Sequence, residues 1–584
     1  MPLQRAWGRA VLLLILISLL AVACQSTVTV TESTTSEPTA AVEPSPSAVL
    51  SEPTEPPEAD PTSEPTASVE ADPTVRPTPA PTTASASPSE PADEATAPAT
   101  EEPTAVPTPE PTPVPVNLDE LEAASTLESV ECPEGIGASG VTCLVATLPL
   151  DATQPTGETV ELMIASVDNG DPIGAGPVVF LQGGPGVGAI GNARALVGAQ
   201  HDVIFVDQRG TGFSTPTLGC PEVGGLWQSI FTDSAAERID DEEVVFDAYQ
   251  QCRDRLVGQG IDLANFNTTA AAIDFELLRR LFGHEQWSLW GISYGTRLGL
   301  TIMRDHPDGV RAAVLDSVVP FEVDFFSTIP ENGLAAIDRL ATACDSEACS
   351  EDHGDFEANL IELTQRLNED PVVVNATRPV TGETFPFRVD GEQLINMVFN
   401  QLYSTRALRS LPRQIARPDN GGLNELVAAF VSQRDPNRID LSLGLYYTTW
   451  CREEFPFHDA LGDDDLLSQV SPEFGPAVSN ALSSDSVDRL CAIFDVPAAD
   501  EVEDQPITSS IPTMVFAGSF DPITPPHWSS SVADNLANSF FVELPNNGHG
   551  VATACGVAIR LEFLEDPRTE PDTSCVGTAG PDFD

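Results

Sequence analysis

The segment "WGISYGTRLGL", Trp290 to Leu300, places Ser293 between Gly291 and Gly295. The apolar run "QWSLWGI" leads into this serine, and a stretch with helical spacing and no proline follows it. A serine on a tight turn between a strand and a helix is the arrangement of a nucleophile elbow, in which glycines let strand and helix approach closely. An ordinary strand-to-helix loop is the alternative, so the assignment depends on partners elsewhere in the chain.

Two later segments could supply the groups that activate a serine. A serine hydroxyl needs a base to take its proton, and that base needs a third group to orient it. Asp521 follows a predicted strand in "TMVFAGSFDPITP", and His549 follows the next one in "FVELPNNGHG". The other six of the seven histidines lack this context. Because serine, acid, histidine is a known order of such a triad, we predict that Ser293, Asp521 and His549 are catalytic.

Acyl transfer by such a triad also needs hydrogen-bond donors for the developing oxyanion. The residue after the serine, Tyr294, can supply one through its backbone N–H. The glycine-rich loop "LQGGPGVG" can supply the second, and because Pro185 has no N–H the donor is Gly183 or Gly184. We favour Gly184. A phosphate-binding loop is disfavoured, since no Gly-Lys-Ser/Thr element follows.

Beyond Val116, short β-branched runs alternate with longer amphipathic stretches, which predicts an α/β fold with a mostly parallel sheet covered by helices. The predicted strands are Val141 to Leu148, Thr159 to Ser166, Pro177 to Gln182, Asp202 to Asp207, Trp287 to Ile292, Val310 to Leu315, Thr513 to Ala517 and Phe540 to Leu544. The first two are expected to form an antiparallel hairpin.

The chain divides into five predicted regions. Residues 1–23 form a signal peptide, 24–116 an anchor cysteine and stalk, 117–320 the first part of the core, 321–505 a mainly helical cap, and 506–584 the C-terminal part of the core. Ligands of open α/β sheets bind outside the carboxyl ends of the strands, so a cap over that edge would select substrates. A separate domain unrelated to the site is the alternative.

The N-terminal segment is typical of an exported protein. Arg5 and Arg9 precede an apolar run of about 13 residues, shorter than the ~20 that span a bilayer, and small residues follow before Cys24. This pattern resembles a bacterial lipobox. We therefore predict that Cys24 is lipidated and is the only membrane contact of a cell-envelope lipoprotein facing outside the cytoplasm. Simple secretion is the alternative, because Ala21 stands where leucine is usual.

The segment from Gln25 to Val116 is rich in acidic residues, proline and threonine, and it has no aromatic residue. It cannot bury enough apolar surface to fold, which predicts a disordered, extended stalk. The formal net charge of the whole chain is −62, and all 27 basic residues are arginine. Nucleic acid is therefore excluded as a partner, because phosphate binding depends on basic residues.

Ten of the eleven cysteines remain once Cys24 is set aside, an even number that favours disulfides in an exported chain. Since connectivity cannot be deduced from spacing, we take sequential pairing as the hypothesis. The pairs are Cys132 with Cys143, Cys220 with Cys252, Cys344 with Cys349, Cys451 with Cys491, and Cys555 with Cys575. There is no CxxC pair or HExxH box, so we expect no metal and no other cofactor.

Five blocks together resemble the proline iminopeptidase and tripeptidyl aminopeptidase branch of the α/β-hydrolases. They are "QGGPG" (182–186), "DQRGTGFS" (207–214), "GISYGT" (291–296), "GSFDPITP" (518–525) and "NGHG" (547–550). The resemblance runs from about Cys132 to Cys575. It implies an α/β-hydrolase fold and an exported serine aminopeptidase that releases an N-terminal proline or a short peptide. Gln182 stands where proline iminopeptidases usually have histidine, which favours the tripeptidyl type.

An aminopeptidase must recognise a free α-ammonium, for which a partly desolvated carboxylate is a suitable partner. The segment "WCREEFPF" places Glu453 and Glu454 beside Cys451, and similar Cys-x-Glu segments occur in the exported relatives. We therefore predict that one or both bind the substrate ammonium; two solvated glutamates on a cap helix are the alternative. Asp207 and Arg209 are predicted to hold a loop near the site as a pair.

The predicted function is hydrolysis of peptides with a free N-terminus, by a Ser-His-Asp acyl-enzyme mechanism. An ester hydrolase on the same scaffold is the nearest alternative, because a fold does not determine its substrate. A catalytically silent surface lipoprotein that binds peptides is an alternative from a different class.

Overall fold

A mixed β-sheet organises the chain. The computed structural model describes residues 116–170, 176–226, 229, 242–434, 441–457, 471, 474–482, 486–577, 581 and 583. Its strands are β1 (Thr126–Val130), β2 (Val141–Pro149), β3 (Thr159–Val167), β4 (Val178–Leu181), β5 (Val203–Val206), β6 (Trp287–Ile292), β7 (Val310–Asp316), β8 (Val372–Thr377), β9 (Thr384–Val389), β10 (Thr513–Gly518) and β11 (Ser539–Leu544). The predicted signal peptide, Cys24 and the stalk lie outside the described residues.

The helices fall before, between and after these strands. They are α1 (Leu118–Ala124), α2 (Pro221–Gly224), α3 (Glu242–Gly258), α4 (Thr268–Leu281), α5 (Tyr294–Asp305), α6 (Ile329–Cys344), α7 (Glu347–His353), α8 (Phe356–Glu369), α9 (Gly391–Leu402), α10 (Leu411–Ala416), α11 (Gly422–Arg434), α12 (Leu443–Glu453), α13 (Gly475–Leu482), α14 (Val487–Phe494), α15 (Pro526–Asn535) and α16 (Ala554–Glu565). Within the described ranges, no helix is both long and apolar enough to cross a bilayer.

Among the described residues the main sheet has nine strands in the order β1-β2-β3-β5-β4-β6-β7-β10-β11. The strands from β5 through β4, β6, β7 and β10 to β11 are parallel, and β1, β2, β3 and β5 pair antiparallel. The central strands β4, β5 and β10 are buried along their whole length, as strands covered by helices on both faces must be. The carboxyl ends of the parallel strands therefore meet at one edge.

All eight predicted strands are present, with ends that differ by at most one residue, and the first two form the expected antiparallel hairpin. Two features were not predicted. Strand β1 is mostly exposed, so its sequence carries no apolar alternation. A two-stranded antiparallel hairpin, β8 with β9, lies among the helices between β7 and β10. The limits of the cap, 321–505, stay a prediction.

The five disulfides join the cysteines in the sequential pattern taken as the hypothesis. The bridge between Cys451 and Cys491 joins α12 to α14. The bridge between Cys220 and Cys252 joins the start of α2 to α3. All five bridges lie where the Cα atoms of the two cysteines are 5.0–5.7 Å apart.

Helix α5 packs directly onto the end of β4. A Cβ atom added at Gly295 would lie 1.9 Å from the carbonyl oxygen of Leu181, far inside van der Waals contact. Only glycine permits this approach, because any side chain would push the first turn of α5 away from the sheet.

We expect Gly295→Ala to lower the free energy of unfolding by roughly 1–3 kcal/mol or more, since the added methyl group must displace backbone. Gly258→Ala, at the end of α3, is the matched control. A Cβ atom there would have no neighbour within 4 Å, so the control should be neutral or slightly stabilising. Urea unfolding of both variants measures this, and equal stability of the two would contradict the packing argument.

Candidate active site

Ser293 sits on a strained turn between β6 and α5. Its backbone has φ 56° and ψ −129°, a conformation that L-residues rarely adopt. Such strain costs about 1–3 kcal/mol and persists only where the surroundings enforce it. Here the Ser293 N–H donates to Asp316 O at 3.0 Å, and the Thr296 N–H donates to Ser293 O at 2.8 Å. The turn therefore presents the serine above the carboxyl edge of the sheet.

Asp521 lies in the loop after β10 and is held by its own chain. One carboxylate oxygen accepts from the N–H groups of Ile523 and Thr524 at 3.0 and 2.9 Å, and the other accepts from Thr524 Oγ1 at 2.7 Å. Burial alone would raise the pKa of Asp521, but His549 and these hydrogen bonds outweigh it and hold the pKa below its ordinary value. The lowered pKa keeps Asp521 ionised, and the hydrogen bonds hold its carboxylate in one orientation.

His549 follows β11 and faces this carboxylate. Its Nδ1 lies 2.7 Å from Asp521 Oδ2 and 3.0 Å from Thr524 Oγ1, and both side chains of the His549–Asp521 pair are fully buried. Because an ionised carboxylate only accepts, Nδ1 carries the proton and Nε2 is left as the basic atom. The acid and the histidine are therefore brought together in the relation that a triad requires.

The hydroxyl of Ser293 and Nε2 of His549 are both buried, and neither has a hydrogen-bond partner among the described residues. The structure thus leaves the proton-transfer bond between them unformed. Catalytic hydrogen bonds often tighten only when substrate is present, so this geometry is compatible with a triad. The roles of the three residues stay proposals.

A second buried acid supports the histidine loop. Asp316, at the end of β7, accepts from the Val551 N–H at 2.8 Å, and the neighbouring Ser317 Oγ accepts from the Gly550 N–H at 2.9 Å. Burial raises the pKa of Asp316 to about 6. Sequence reasoning missed this residue, although its place at the end of a predicted strand was a usable signal. It missed Thr524 as well, although a side chain three residues after an aspartate in a turn commonly bonds back to it.

The predicted oxyanion donors lie on adjoining segments. Leu181 of β4 is paired with Gly291 of β6, so the loop that contains Gly184 begins beside the turn at Ser293. Gly184 has φ 123°, and an added Cβ would lie 2.8 Å from the N atom of Gly186, which explains the glycine there. Tyr294 is the first residue of α5, where backbone N–H groups have no partner inside the helix.

Asp207 and Arg209 hold different segments. Asp207 accepts from the N–H groups of Ala189 and Ile190 at 2.6 and 3.0 Å and from that of Phe213 at 2.8 Å, which secures the glycine-rich loop. Arg209 forms a bidentate ion pair with Asp274 of α4, with both distances 2.7 Å. The expected structural role therefore holds for both, but the strong partner of Arg209 is Asp274, so the expectation of a single pair needs this correction.

The segment between β7 and β10 contacts the two loops that carry Asp521 and His549. The His549 N–H donates to Tyr403 O at 3.0 Å, and the Gly548 N–H donates to Thr405 Oγ1 at 3.2 Å. Arg339 of α6 donates through Nε to Ser519 O at 2.6 Å, just before Asp521. Residues of this segment therefore contact the loops of both Asp521 and His549, and its role as a cap stays a prediction.

Glu453 and Glu454 are buried, contrary to the alternative of two solvated glutamates. Both pair with Arg297 of α5, which has no exposed surface: its Nε lies 3.4 Å from Glu453 Oε2, and its Nη1 donates to Glu454 Oε1. Glu453 also accepts from the N–H and Oγ1 of Thr268 at 2.7 and 2.6 Å, and Glu454 accepts from the Phe325 N–H at 3.3 Å. Their ammonium-binding role stays a prediction, and their visible role is to join α12 to the helix of the serine.

This cluster holds two carboxylates for one guanidinium. Burial raises the pKa of Glu453, and burial together with the charge of Glu453 raises the pKa of Glu454 to about 8, against the opposing effect of Arg297. One carboxylate therefore keeps its proton at neutral pH.

The described residues contain no group of three or more His, Cys, Asp or Glu side chains that could hold a metal ion.

Two family models match separate parts of the chain. The α/β hydrolase fold matches residues 176–344, which include the serine turn, and the TAP-like protein family matches residues 475–575, which include Asp521 and His549. The chain is an α/β-hydrolase. It belongs to the branch that the five sequence blocks predicted, which is confirmed by the relatives described next.

Three relatives of this hydrolase are informative. Serine protease Hip1 of Mycobacterium tuberculosis is 25% identical over 429 residues, covering 68% of this chain and 80% of that protein. Tripeptidyl aminopeptidase of Streptomyces coelicolor is 26% identical over 194 residues, which cover 31% of this chain and 35% of that protein. A probable proline iminopeptidase of the same species is 32% identical over 151 residues, which cover 26% of this chain and 34% of that protein.

We expect Ser293→Ala to abolish hydrolysis of an activated aryl ester while the melting curve stays nearly unchanged, because the hydroxyl makes no hydrogen bond that folding would lose. Asp521→Asn should lower kcat by up to about 10⁴-fold, since an amide favours the wrong tautomer of His549. Steady-state kinetics and thermal unfolding of both variants check this. Normal turnover by the alanine variant would remove Ser293 from the mechanism.

The Arg297 cluster predicts a pH dependence of stability. Folded Glu454 keeps its proton up to about pH 8, whereas the unfolded chain releases it near the ordinary pKa of 4.5. The folded state binds more protons in between, so the free energy of unfolding falls as pH rises through this window. Glu454→Gln should flatten the curve between about pH 5 and 8.

The matched control for that measurement is Glu425→Gln. Arg413 holds the pKa of Glu425 below its ordinary value, so this group contributes no slope above about pH 5. Urea unfolding across the pH range should therefore change slope for the Glu454 variant alone. The same slope in both variants and the parent would mean that Glu454 is ionised in the folded chain.

Proposed function

We propose that this hydrolase is a serine aminopeptidase that removes a short peptide or a single residue from peptides with a free N-terminus. The observation that carries the proposal is the buried Asp521–His549 pair, 2.7 Å apart, at the same sheet edge as the strained turn of Ser293. The names of the three relatives, a serine protease, a tripeptidyl aminopeptidase and a proline iminopeptidase, favour a peptide bond as the target.

In the proposed mechanism Ser293 attacks the scissile carbonyl while Nε2 of His549 takes the hydroxyl proton. The N–H groups of Gly184 and Tyr294 stabilise the oxyanion, a contribution of about 2.7–4 kcal/mol for one donor in a preorganised site. His549 then protonates the leaving amine, and Asp521 stabilises the imidazolium between these steps. Water hydrolyses the acyl-enzyme by the same route, and the peptide fragment leaves as a carboxylic acid.

Recognition of the free N-terminus is proposed to use the surplus carboxylate of the Arg297 cluster. Oε2 of Glu454 is the oxygen most easily released, because its bond to the Phe325 N–H is long at 3.3 Å. A substrate α-ammonium would replace this bond and stabilise the ionised form of Glu454, which releases to solvent the proton that it holds at neutral pH in the free protein. An N-acylated substrate has a neutral amide in place of the ammonium and could not do so.

We further propose that the protein is exported and faces an oxidising compartment. The five disulfides support this, because such bridges persist outside the reducing cytoplasm. Lipidation at Cys24, outside the described residues, remains part of the proposal. Detection of a diacylglyceryl group on Cys24 by mass analysis would identify the membrane anchor.

The purified protein should cleave a free-amine tripeptidyl arylamide or prolyl arylamide and lose this activity when the same substrate is N-acetylated. The substrate that is cleaved also reveals the number of residues released. Initial rates on both substrates, their acetylated forms and a short-chain aryl ester measure this. Turnover of the ester alone would assign an ester hydrolase, and no turnover at all would favour a silent peptide-binding protein.

Glu454→Gln tests the ammonium anchor within the same set of substrates. It should raise KM for the free-amine arylamide and leave KM for the aryl ester unchanged, with Glu425→Gln as the exposed control. Equal changes on both substrates would mean that Glu454 acts only through the packing of α12 against α5.

A further inference from the structure

A cavity of about 40 Å³ lies on the face of the sheet opposite α5. Phe180, Phe205 and Trp290 from three neighbouring strands line it, and the segment from Gly550 to Ala552 closes one end. Neither Ser293 nor His549 lines it, although both are adjacent in sequence to residues that do. The cavity is therefore separate from the reacting atoms, and its ligand does not depend on the function proposed above.

Arg560 of α16 gives this cavity a positive charge. Its guanidinium lies 3.6 Å from the centroid of the Trp290 ring, and the residue is only 7% exposed. Within the part of the chain that the structure describes, it donates no hydrogen bond and has no carboxylate at ion-pair distance. Burial lowers the pKa of Arg560 to about 10, so it remains a cation at neutral pH.

The five N–H donors of Arg560 lack acceptors on the described residues, and its nitrogen atoms keep some accessible surface where the side chain lines the cavity. A guanidinium in this position is only partly hydrated, so an anion in the cavity would complete its hydrogen bonds. Asp316 also lines the cavity and acts on Arg560 electrostatically. Its carboxylate, however, is bonded to the Val551 N–H at 2.8 Å and to Ser317 Oγ at 3.3 Å. The chain therefore offers Arg560 an opposite charge across the cavity but no hydrogen-bond acceptor.

The residues that line the cavity indicate the class of ligand that it would bind. The guanidinium fork matches the two oxygens of a carboxylate, and the aromatic walls accept a hydrocarbon group. A cavity of this size suits a small ligand, and Asp316 in the same lining disfavours a dianion such as phosphate. We propose that this cavity is a binding site for a short-chain monocarboxylate, held by Arg560 and packed against Phe180 and Trp290.

The test uses the Ser293→Ala chain, so that the proposed catalysis cannot alter the ligand. Calorimetric titration with propionate should give saturable binding, and propionate should raise Tm as a ligand of the folded state does. Propionamide, which has the same shape without the charge, should do neither. Arg560→Met should weaken propionate binding at least about tenfold, as expected for loss of a charge-assisted pair. Arg568→Met, an exposed arginine beyond the same helix, is the matched control.

A second variant keeps the proposal testable if the methionine variant folds poorly. Ala195→Leu retains Arg560 but fills part of the cavity that Ala195 lines, and it should also abolish propionate binding. Unchanged binding in both variants would place the carboxylate elsewhere and overturn the proposal. An equal Tm increase with chloride at the same ionic strength would reveal an adventitious ion only. The absence of propionate binding to the Ser293→Ala chain itself would also overturn the proposal.

Discussion

The contact between the first turn of α5 and the end of β4 determines the geometry of the site around Ser293. Because Gly295 has no side chain, the helix begins directly on the carbonyl of Leu181, and the backbone at Ser293 is forced to a positive φ. That one approach places the serine, the Tyr294 N–H and the glycine-rich loop at the same sheet edge. A looser packing would relieve the strain and lose the alignment of all three.

Helix α5 also fixes the position of α12. Arg297 lies one turn beyond the serine, and it is fully buried between Glu453, the last residue of α12, and Glu454, which follows it. An ion pair of this kind contributes little net stability, because desolvation offsets the attraction, but removal of one partner is costly. Its effect is therefore on arrangement: α12 can occupy only positions in which both carboxylates reach the one guanidinium.

Much of this structure was accessible from the sequence because it rests on local signals. The strand runs, the turn glycines and the strand-end positions of Ser293, Asp521 and His549 each depend on residues close together in the chain. The burial of Glu454 was not accessible, since its partner Arg297 is 157 positions away and only the fold brings them together. Strand β1 escaped prediction for a different reason: four of its five residues are exposed, so it has no apolar pattern.

The burial of Ser293 Oγ and His549 Nε2 has a kinetic consequence. If these atoms react as proposed, the residues that cover them must move before a substrate can reach them, so an opening event precedes the bond-breaking step. Rates then report the frequency of opening as well as the chemistry. For such a catalyst, the size of a reagent relative to the transient entrance, more than its intrinsic electrophilicity, determines how fast it inactivates the serine.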